Sequence, residues 1–175
     1  HTRSLCDWSS DVCSSDLNKE NKKIFICNGP PGTGKSYISC LYSLIKLEKK
    51  EINKIILTRP AVCVDNEEHG YLPGDLNKKM YPYIAPIFDI IDELKGCKTS
   101  EKMIKKGILN IIPFAFMRGR TFKNSIIIAD EMQNSSPNQM FMLLTRLGEN
   151  SKLIINGDLG QTDLEKENGL CNLIN

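Results

Sequence analysis

The sequence of 175 residues contains no long hydrophobic run and no closely paired cysteines. Its longest apolar stretches, such as residues 125–129, have the length of a strand, whereas a helix that crosses a bilayer needs roughly 20 apolar residues. Of the seven cysteines, the five that follow residue 17 are widely spaced singles, without the paired spacing that is typical of zinc sites. These absences predict a cytoplasmic protein with reduced thiols and no membrane partner.

An excess of charge of one sign is also missing, because 23 basic residues face 21 acidic ones. The hydrophobic share of 41% and the charged share of 25% are those of an ordinary globular domain, which excludes collagen and long disorder. At roughly 150 residues per domain, this length predicts a single domain.

Residues 1–17 differ from the rest of the sequence. They are rich in Ser and Asp, hold the only tryptophan, Trp8, and show neither helical nor strand periodicity. Residues 6–17 resemble the translation of a common sequencing adapter, so we interpret 1–17 as a non-native segment and 18–175 as the domain. Without this segment, which carries one arginine and three aspartates, 22 basic and 18 acidic residues remain. A domain this mildly basic tolerates a polyanionic partner but does not require one.

In residues 18–175, short apolar runs alternate with amphipathic stretches, which predicts an α/β fold with a parallel sheet flanked by helices. The predicted strands are 23–28, 54–58, 125–129 and 152–156, with a further short apolar run at 108–112. The predicted helices are 35–50, 84–94, 101–106 and 137–147, with an incomplete helix at 165–175. Residues 59–83, rich in Gly, Pro and Asn, are predicted to form a loop.

A glycine-rich segment between the first strand and the first helix matches the phosphate-loop pattern G-x-x-x-x-G-K-[ST]. Its residues are Gly29, Pro30, Pro31, Gly32, Thr33, Gly34, Lys35 and Ser36. Glycines let backbone N–H groups close around phosphate oxygens, while the lysine reaches the β/γ phosphates and the serine hydroxyl binds Mg²⁺. The segment therefore predicts that ATP and Mg²⁺ bind here, and a chance glycine turn is the weaker alternative.

Polar residues follow two more of the predicted strands. Asp130 and Glu131 follow the apolar run 125–129, and Gln161 follows the strand 152–156. In a parallel sheet the ligand crevice lies at the carboxyl ends of the strands, so Asp130 would hold Mg²⁺ and Glu131 would activate the attacking water. Gln161 would contact the γ-phosphate or that water. The alternatives are a helix N-cap with surface acids for the pair and a plain turn for Gln161.

Seven segments in a fixed order, from about Lys23 to the end of the chain, resemble the PhoH family. They are GPPGTGKS, RPAV, GYLPGD, FAFMRGRTF, IIIADEMQN, LLTRLG and INGDLGQTDL. The resemblance implies a RecA-like P-loop NTPase related to superfamily-1 helicases, with ATP binding, Mg²⁺ dependence and work on RNA. It also implies catalytic roles for Lys35, Glu131 and Gln161, and a metal site at Ser36 and Asp130. Gln133 would couple the acidic motif, Asp130 and Glu131, to the segment that carries Gln161.

Four arginines are candidates for contact with phosphates outside the glycine loop, because a guanidinium fork suits a phosphate. Arg59, Arg118 and Arg120 would meet a nucleic acid backbone or a neighbouring subunit's nucleotide, and Arg146 would act in trans in a homo-oligomer of the intact parent protein. Ordinary surface arginines are the alternative.

The leading hypothesis is an ATPase coupled to RNA or single-stranded nucleic acid. A P-loop kinase and a nucleotide-gated binding module without turnover are the alternatives, because a P-loop fold alone does not fix function. Members of the resembled family carry an upstream adenine-reading segment and continue beyond the pair matched by Gly169 and Leu170, so we expect a domain truncated at both ends.

Overall fold

The computed structural model describes residues 3–6, 22–60, 76–161 and 168–174, with side chains in these ranges except at 3–6 and 76–83. Six strands form one parallel sheet in the order β1-β2-β6-β5-β3-β4. The strands are β1 (Arg3–Cys6), β2 (Ile24–Asn28), β3 (Lys54–Thr58), β4 (Leu109–Ile111), β5 (Ser125–Ala129) and β6 (Lys152–Gly157). Because all six run in the same direction, their carboxyl ends share one edge of the sheet.

The strands at the middle of the sheet are buried on both faces, as expected for a parallel sheet. All five residues of β5 are buried, and they alternate between the two sides. Ile126 and Ile128 belong to the core on one side, whereas Ile127 and Ala129 belong to the core on the other. This alternation splits the interior into two apolar layers.

Helices cover both layers. The first layer packs against α1 (Lys35–Glu48), α2 (Leu76–Lys95) and α3 (Thr99–Lys105). The second packs against α4 (Pro137–Leu144), α5 (Gly169–Ile174) and two 3₁₀ turns, Phe114–Phe116 and Met132–Asn134. Helix α4 begins with a capping box in which Ser136 and Gln139 bond each other's backbone N–H, with Pro137 at the first helical position. The sheet is therefore flanked on both faces, and the predicted α/β fold is confirmed.

Most predicted elements agree with the structure. The strands 54–58 and 125–129 have the predicted bounds, and the run 108–112 contains β4. The predicted helix 137–147 ends earlier, at Leu144. The incomplete helix predicted at 165–175 corresponds to α5, which begins at Gly169, while residues 165–167 lie outside the described residues.

The loop prediction for residues 59–83 is wrong at its end, because α2 begins at Leu76. Pro82 favours a loop, since proline has no N–H for the helical bond. Here the helix runs through it, and its later part buries Ile84, Ile87, Phe88 and Ile91 in the core. Tertiary packing thus overrides the local preference. The rest of that loop, residues 61–75, lies outside the described residues.

Two further expectations need correction. Residues 1–17 show no strand periodicity, yet Arg3–Cys6 forms β1 and pairs in parallel with β2. The helical spacing of the apolar residues in 35–50 predicts Ile45 on the apolar face of α1, but Ile45 is 39% exposed. Cys27 and Cys40 are both buried in the first layer of the core. Burial, with a smaller effect of the Asp130 charge, raises the pKa of Cys40 to about 12.

Candidate functional site

The glycine-rich loop connects β2 to α1 at the carboxyl edge of the sheet. Gly34 precedes the helix with a φ of 80°, a left-handed conformation that favours glycine. The Lys35 ammonium donates to the carbonyl oxygens of Gly29 at 2.6 Å and Pro30 at 2.8 Å, so it folds back over the loop. Lys35 therefore lies where a phosphate on the loop could replace these carbonyls as its partner.

Asp130 is placed beside Ser36 by the neighbouring strand ends. The Ser36 hydroxyl donates to Asp130 Oδ1 at 3.1 Å, and the Asp130 N–H donates to the Thr58 carbonyl at 3.0 Å. The hydroxyl and the carboxylate are hard oxygen ligands, which Mg²⁺ prefers. Among the described residues, no group of three or more His, Cys, Asp or Glu is arranged so that it could hold a metal ion.

A polar network behind Asp130 was not predicted. Asn156, the β6 residue before Gly157, donates from Nδ2 to Asp130 Oδ1 at 3.1 Å. The Ser39 hydroxyl lies 2.9 Å from Asn156 Oδ1 and 2.9 Å from the carbonyl oxygen of Lys35, and it can donate to either. Asn156 and Ser39 are buried, so these bonds are shielded from water. The signal in the sequence is a polar residue that ends a buried strand next to the other motifs.

Burial is the largest influence on the Asp130 carboxyl and raises its pKa. The hydrogen bond from Asn156 opposes this, the negative charge of Glu131 adds to it, and the bond from Ser36 and the charge of Arg59 oppose it. The carboxylate is thus held in a dry position by specific donors, which suits a fixed ligand for a cation.

Glu131 follows Asp130 in a left-handed conformation, with φ 56° and ψ 40°. This conformation is uncommon outside glycine, and such strain is concentrated at functional sites. Gln133 donates from Nε2 to Glu131 Oε2 at 2.6 Å and accepts from the Asp158 N–H at 3.2 Å. The buried Gln133 therefore joins the acidic motif to the turn after β6.

The turn after β6 carries Gln161 to the same edge. The Gln161 N–H donates to the Asp158 carbonyl at 3.1 Å, and Asn28 Oδ1 accepts from the Leu159 N–H at 3.1 Å, which ties the turn to the end of β2. A cleft opens between these elements, lined by Pro31, Lys35, Asp130, Glu131, Gly157, Asp158 and Gln161. Its lining comes from the glycine-rich loop and from the ends of β5 and β6, so the cleft lies at the carboxyl edge of the sheet.

The four arginines lie in two places. Arg59 follows β3 at the carboxyl edge, and its charge acts on Asp130. Arg118 and Arg120 are exposed on the second layer of the molecule, away from that cleft's lining. The Arg146 guanidinium donates to the carbonyls of Met142 at 3.2 Å and Arg120 at 3.0 Å. The structure thus brings Arg59 close enough to act on Asp130 and joins Arg146 to the Arg120 turn.

None of the helices in the described part of the chain has both the length and the apolar character needed to cross a membrane.

Comparison with known proteins identifies relatives over most of the chain. The family model described as PhoH-like protein matches residues 12–175, a range that begins within the segment set apart above. A PhoH-like protein of Bacillus subtilis is 48% identical over 138 residues, which cover 79% of this chain and 43% of that protein. Protein PhoH of Escherichia coli is 42% identical over 154 residues, which cover 87% of this chain and 43% of that protein.

A PhoH-like protein of Synechocystis is 42% identical over 141 residues, or 81% of this chain and 43% of that protein. The chain therefore spans less than half the length of these relatives. With a parallel sheet and matches of this extent, the chain belongs to the PhoH family.

Proposed function

We propose that this chain binds ATP with Mg²⁺ at the cleft and hydrolyses the γ-phosphate, and that this turnover is coupled to RNA or another single-stranded nucleic acid. The observation that carries the proposal is the convergence of Lys35, Asp130, Glu131 and Gln161 on one cleft, with Ser36 bonded to Asp130. These are the roles that phosphoryl transfer needs: a phosphate cradle, a cation site and a group that activates water.

Lys35 would exchange the carbonyls of Gly29 and Pro30 for phosphate oxygens of ATP. The Ser36 hydroxyl and the Asp130 carboxylate would hold Mg²⁺, which supplies positive charge against the phosphate oxygens when it is bound. Because the two groups already lie 3.1 Å apart, little rearrangement is required.

Glu131 would accept a proton from the attacking water as its oxygen bonds to the γ-phosphorus and the bond to the ADP oxygen breaks. Gln133 holds one carboxylate oxygen of Glu131 at 2.6 Å, which orients the other for the water. Gln161, at the rim of the same cleft, would contact the γ-phosphate.

The test is Mg²⁺-dependent ATP hydrolysis by the full chain and by Glu131→Gln. We expect the variant to bind ATP but to lose about 10²- to 10⁴-fold in turnover, the usual contribution of a general base. Glu149→Gln, at an exposed glutamate that does not line the cleft, is the matched control and should hydrolyse ATP like the wild type.

Full turnover in Glu131→Gln would remove Glu131 from the chemistry. ATP binding by the wild type without any turnover would favour the nucleotide-gated binding module. Transfer of phosphate to a hydroxyl acceptor faster than hydrolysis would favour a kinase.

A further inference from the structure

Two aromatic rings are exposed on the layer of the molecule that carries α4. Phe141, on α4, is 70% exposed, and Phe116, in the 3₁₀ turn after β4, is 51% exposed. Single exposed apolar residues are ordinary, whereas exposed apolar surface bordered by polar residues marks a site of interaction. Both segments are otherwise well packed, since Phe114, Met117 and Met140 are buried.

Contacts between backbone and side chains place the two segments on one face. Phe114, Met117, Met140 and Leu143 belong to the same core cluster, so residues that point away from it share the outer surface of that layer. Arg146 Nη1 donates to the Arg120 carbonyl at 3.0 Å, which joins the end of α4 to the 118–120 turn. The Thr145 N–H donates to the Phe141 carbonyl, so Phe141 lies one helical turn from this junction.

The segments that form this face carry a net positive charge, whereas basic and acidic residues are nearly balanced in the rest of the chain. Residues 112–123 and 132–148 contain four basic residues, Arg118, Arg120, Lys123 and Arg146, and no acidic residue. The chain as a whole is nearly balanced, with 23 basic and 21 acidic residues. In the described part of the chain, Arg118 and Arg120 form no ion pair, and both are exposed. The second segment lies between two acidic residues, Glu131 before it and Glu149 after it.

We propose that Phe116, Arg118, Arg120 and Phe141, here called the arginine–phenylalanine surface, bind a single strand of RNA. Guanidinium forks contact backbone phosphates, and exposed rings stack on bases that are not paired. A single strand fits this combination, because a duplex hides its bases from such rings. The inference rests on the proposed function, since it names the surface through which RNA would act on the ATP site.

The experiment is a fluorescence anisotropy titration of oligouridine RNA of about 12 nucleotides, within the usual site sizes of single-strand binders. The full chain is compared with Phe141→Ala, Phe116→Ala and the double variant Arg118→Gln/Arg120→Gln. We expect each phenylalanine variant to bind about 5- to 100-fold more weakly, as when one base loses its stacking partner. The arginine variant should reduce the salt dependence by about 0.7 in log–log slope for each phosphate that is no longer neutralised.

Matched controls lie on the opposite layer of the sheet. Lys105→Gln/Lys106→Gln removes two exposed charges at the end of α3, and Ile45→Ala truncates an exposed apolar residue of α1. Both should bind the oligonucleotide like the wild type. Thermal unfolding of every variant checks that the truncations leave the fold intact.

The outcomes separate this inference from the proposed function. If the wild type binds RNA and the phenylalanine variants bind equally well, the surface assignment is overturned while the ATPase proposal stands. If Phe141→Ala changes the sedimenting mass but not the RNA affinity, the surface is an interface between copies of the chain, which also overturns it. If the wild type does not hydrolyse ATP, the proposed function fails whatever RNA does. If the phenylalanine variants lose as much affinity for an RNA duplex of the same length as they lose for oligouridine, stacking on unpaired bases is ruled out and the surface assignment is overturned.

Discussion

The polar side chains of the cleft have hydrogen-bond partners within the protein, whereas the arginines of the arginine–phenylalanine surface are exposed to solvent. In the cleft, Lys35, Asp130 and Glu131 each have a partner at 2.6–3.1 Å, provided by neighbouring loops and strand ends. On the surface, Arg118 and Arg120 are exposed, as are Phe116 and Phe141. A network held in place before binding suits a small ligand of fixed shape, whereas exposed groups suit an extended ligand that orders them as it binds.

The two regions are joined by a short path through the chain. Strand β5 ends next to Asp130 and Glu131, the turn Met132–Asn134 follows, and α4 then leads to Arg146. The capping box at Ser136 and Gln139 fixes the start of that helix. A change at the γ-phosphate could therefore reach the arginine–phenylalanine surface through α4, and this is the physical basis for the coupling that we propose.

The largest effect that we expect is on Mg²⁺ binding, when the buried hydrogen bond from Asn156 to Asp130 is removed. Asn156→Ala removes the donor to Asp130, so we expect the Mg²⁺ concentration at half-saturation to rise about 10- to 100-fold, as when a group that orients a metal ligand is removed. Nucleotide affinity in EDTA should stay unchanged. The measurement is a Mg²⁺ titration of the chain with ATP bound.

Ser43→Ala is the control for Asn156→Ala. It removes a buried hydrogen bond to the backbone carbonyl of Ser39 and leaves the side-chain bonds of Asn156 and Asp130 in place. It should lower the unfolding temperature but leave the Mg²⁺ titration alone. An unchanged Mg²⁺ requirement in Asn156→Ala would show that this network only stabilises the fold.

An intermediate effect is expected where α4 meets the surface. Arg146→Lys keeps the charge but loses the fork that reaches the carbonyls of Arg120 and Met142. We expect oligouridine affinity to fall by about 2- to 10-fold, the value of one hydrogen bond that positions the 118–120 turn. Lower ATP turnover with unchanged RNA affinity would instead support the role of Arg146 in trans.

The smallest effect concerns the cost of keeping Asp130 charged in the cleft. Burial raises its pKa above the ordinary 3.8, so the folded state holds the proton more tightly than the unfolded state does. This carboxyl therefore favours folding at low pH, and its contribution is lost as the pH rises from 3.8 through the raised folded value.

Asp130→Asn removes that charge and keeps an oxygen that can accept from Ser36 and Asn156. We expect the variant to be more stable by about 1 kcal/mol at pH 7, a usual size for a stabilising replacement. The gain should vanish below pH 3.8, where the wild-type carboxyl is protonated in both states. Urea unfolding in EDTA across this range measures the difference, and equal stability at pH 7 would argue against a penalty from burial.

The sequence predicted the cleft better than the surface for a physical reason. A phosphate loop needs glycines and a lysine at fixed spacing, and parallel strands deliver Asp130 and Gln161 to the same edge, so both facts can be read from the order of residues. Asn156 was missed because it continues an apolar strand, and its partners Ser39 and Asp130 are distant in the chain.

Exposure is harder to predict than motif chemistry. Phe141 lies among apolar residues of α4, and only the packing of Met140 and Leu143 into the core leaves it outside. Likewise, Pro82 favours a loop locally, whereas α2 continues through it because its later residues pack against the sheet. Both outcomes depend on contacts between segments that sequence periodicity does not contain.

ATP hydrolysis by the wild-type chain at saturating ATP and Mg²⁺, measured during a titration with oligouridine RNA, tests whether the cleft and the arginine–phenylalanine surface are coupled. We expect a turnover rate that rises with RNA and saturates at the concentration where anisotropy shows the RNA to be bound. A turnover rate that stays constant while the RNA binds would contradict the coupling between the cleft and the arginine–phenylalanine surface.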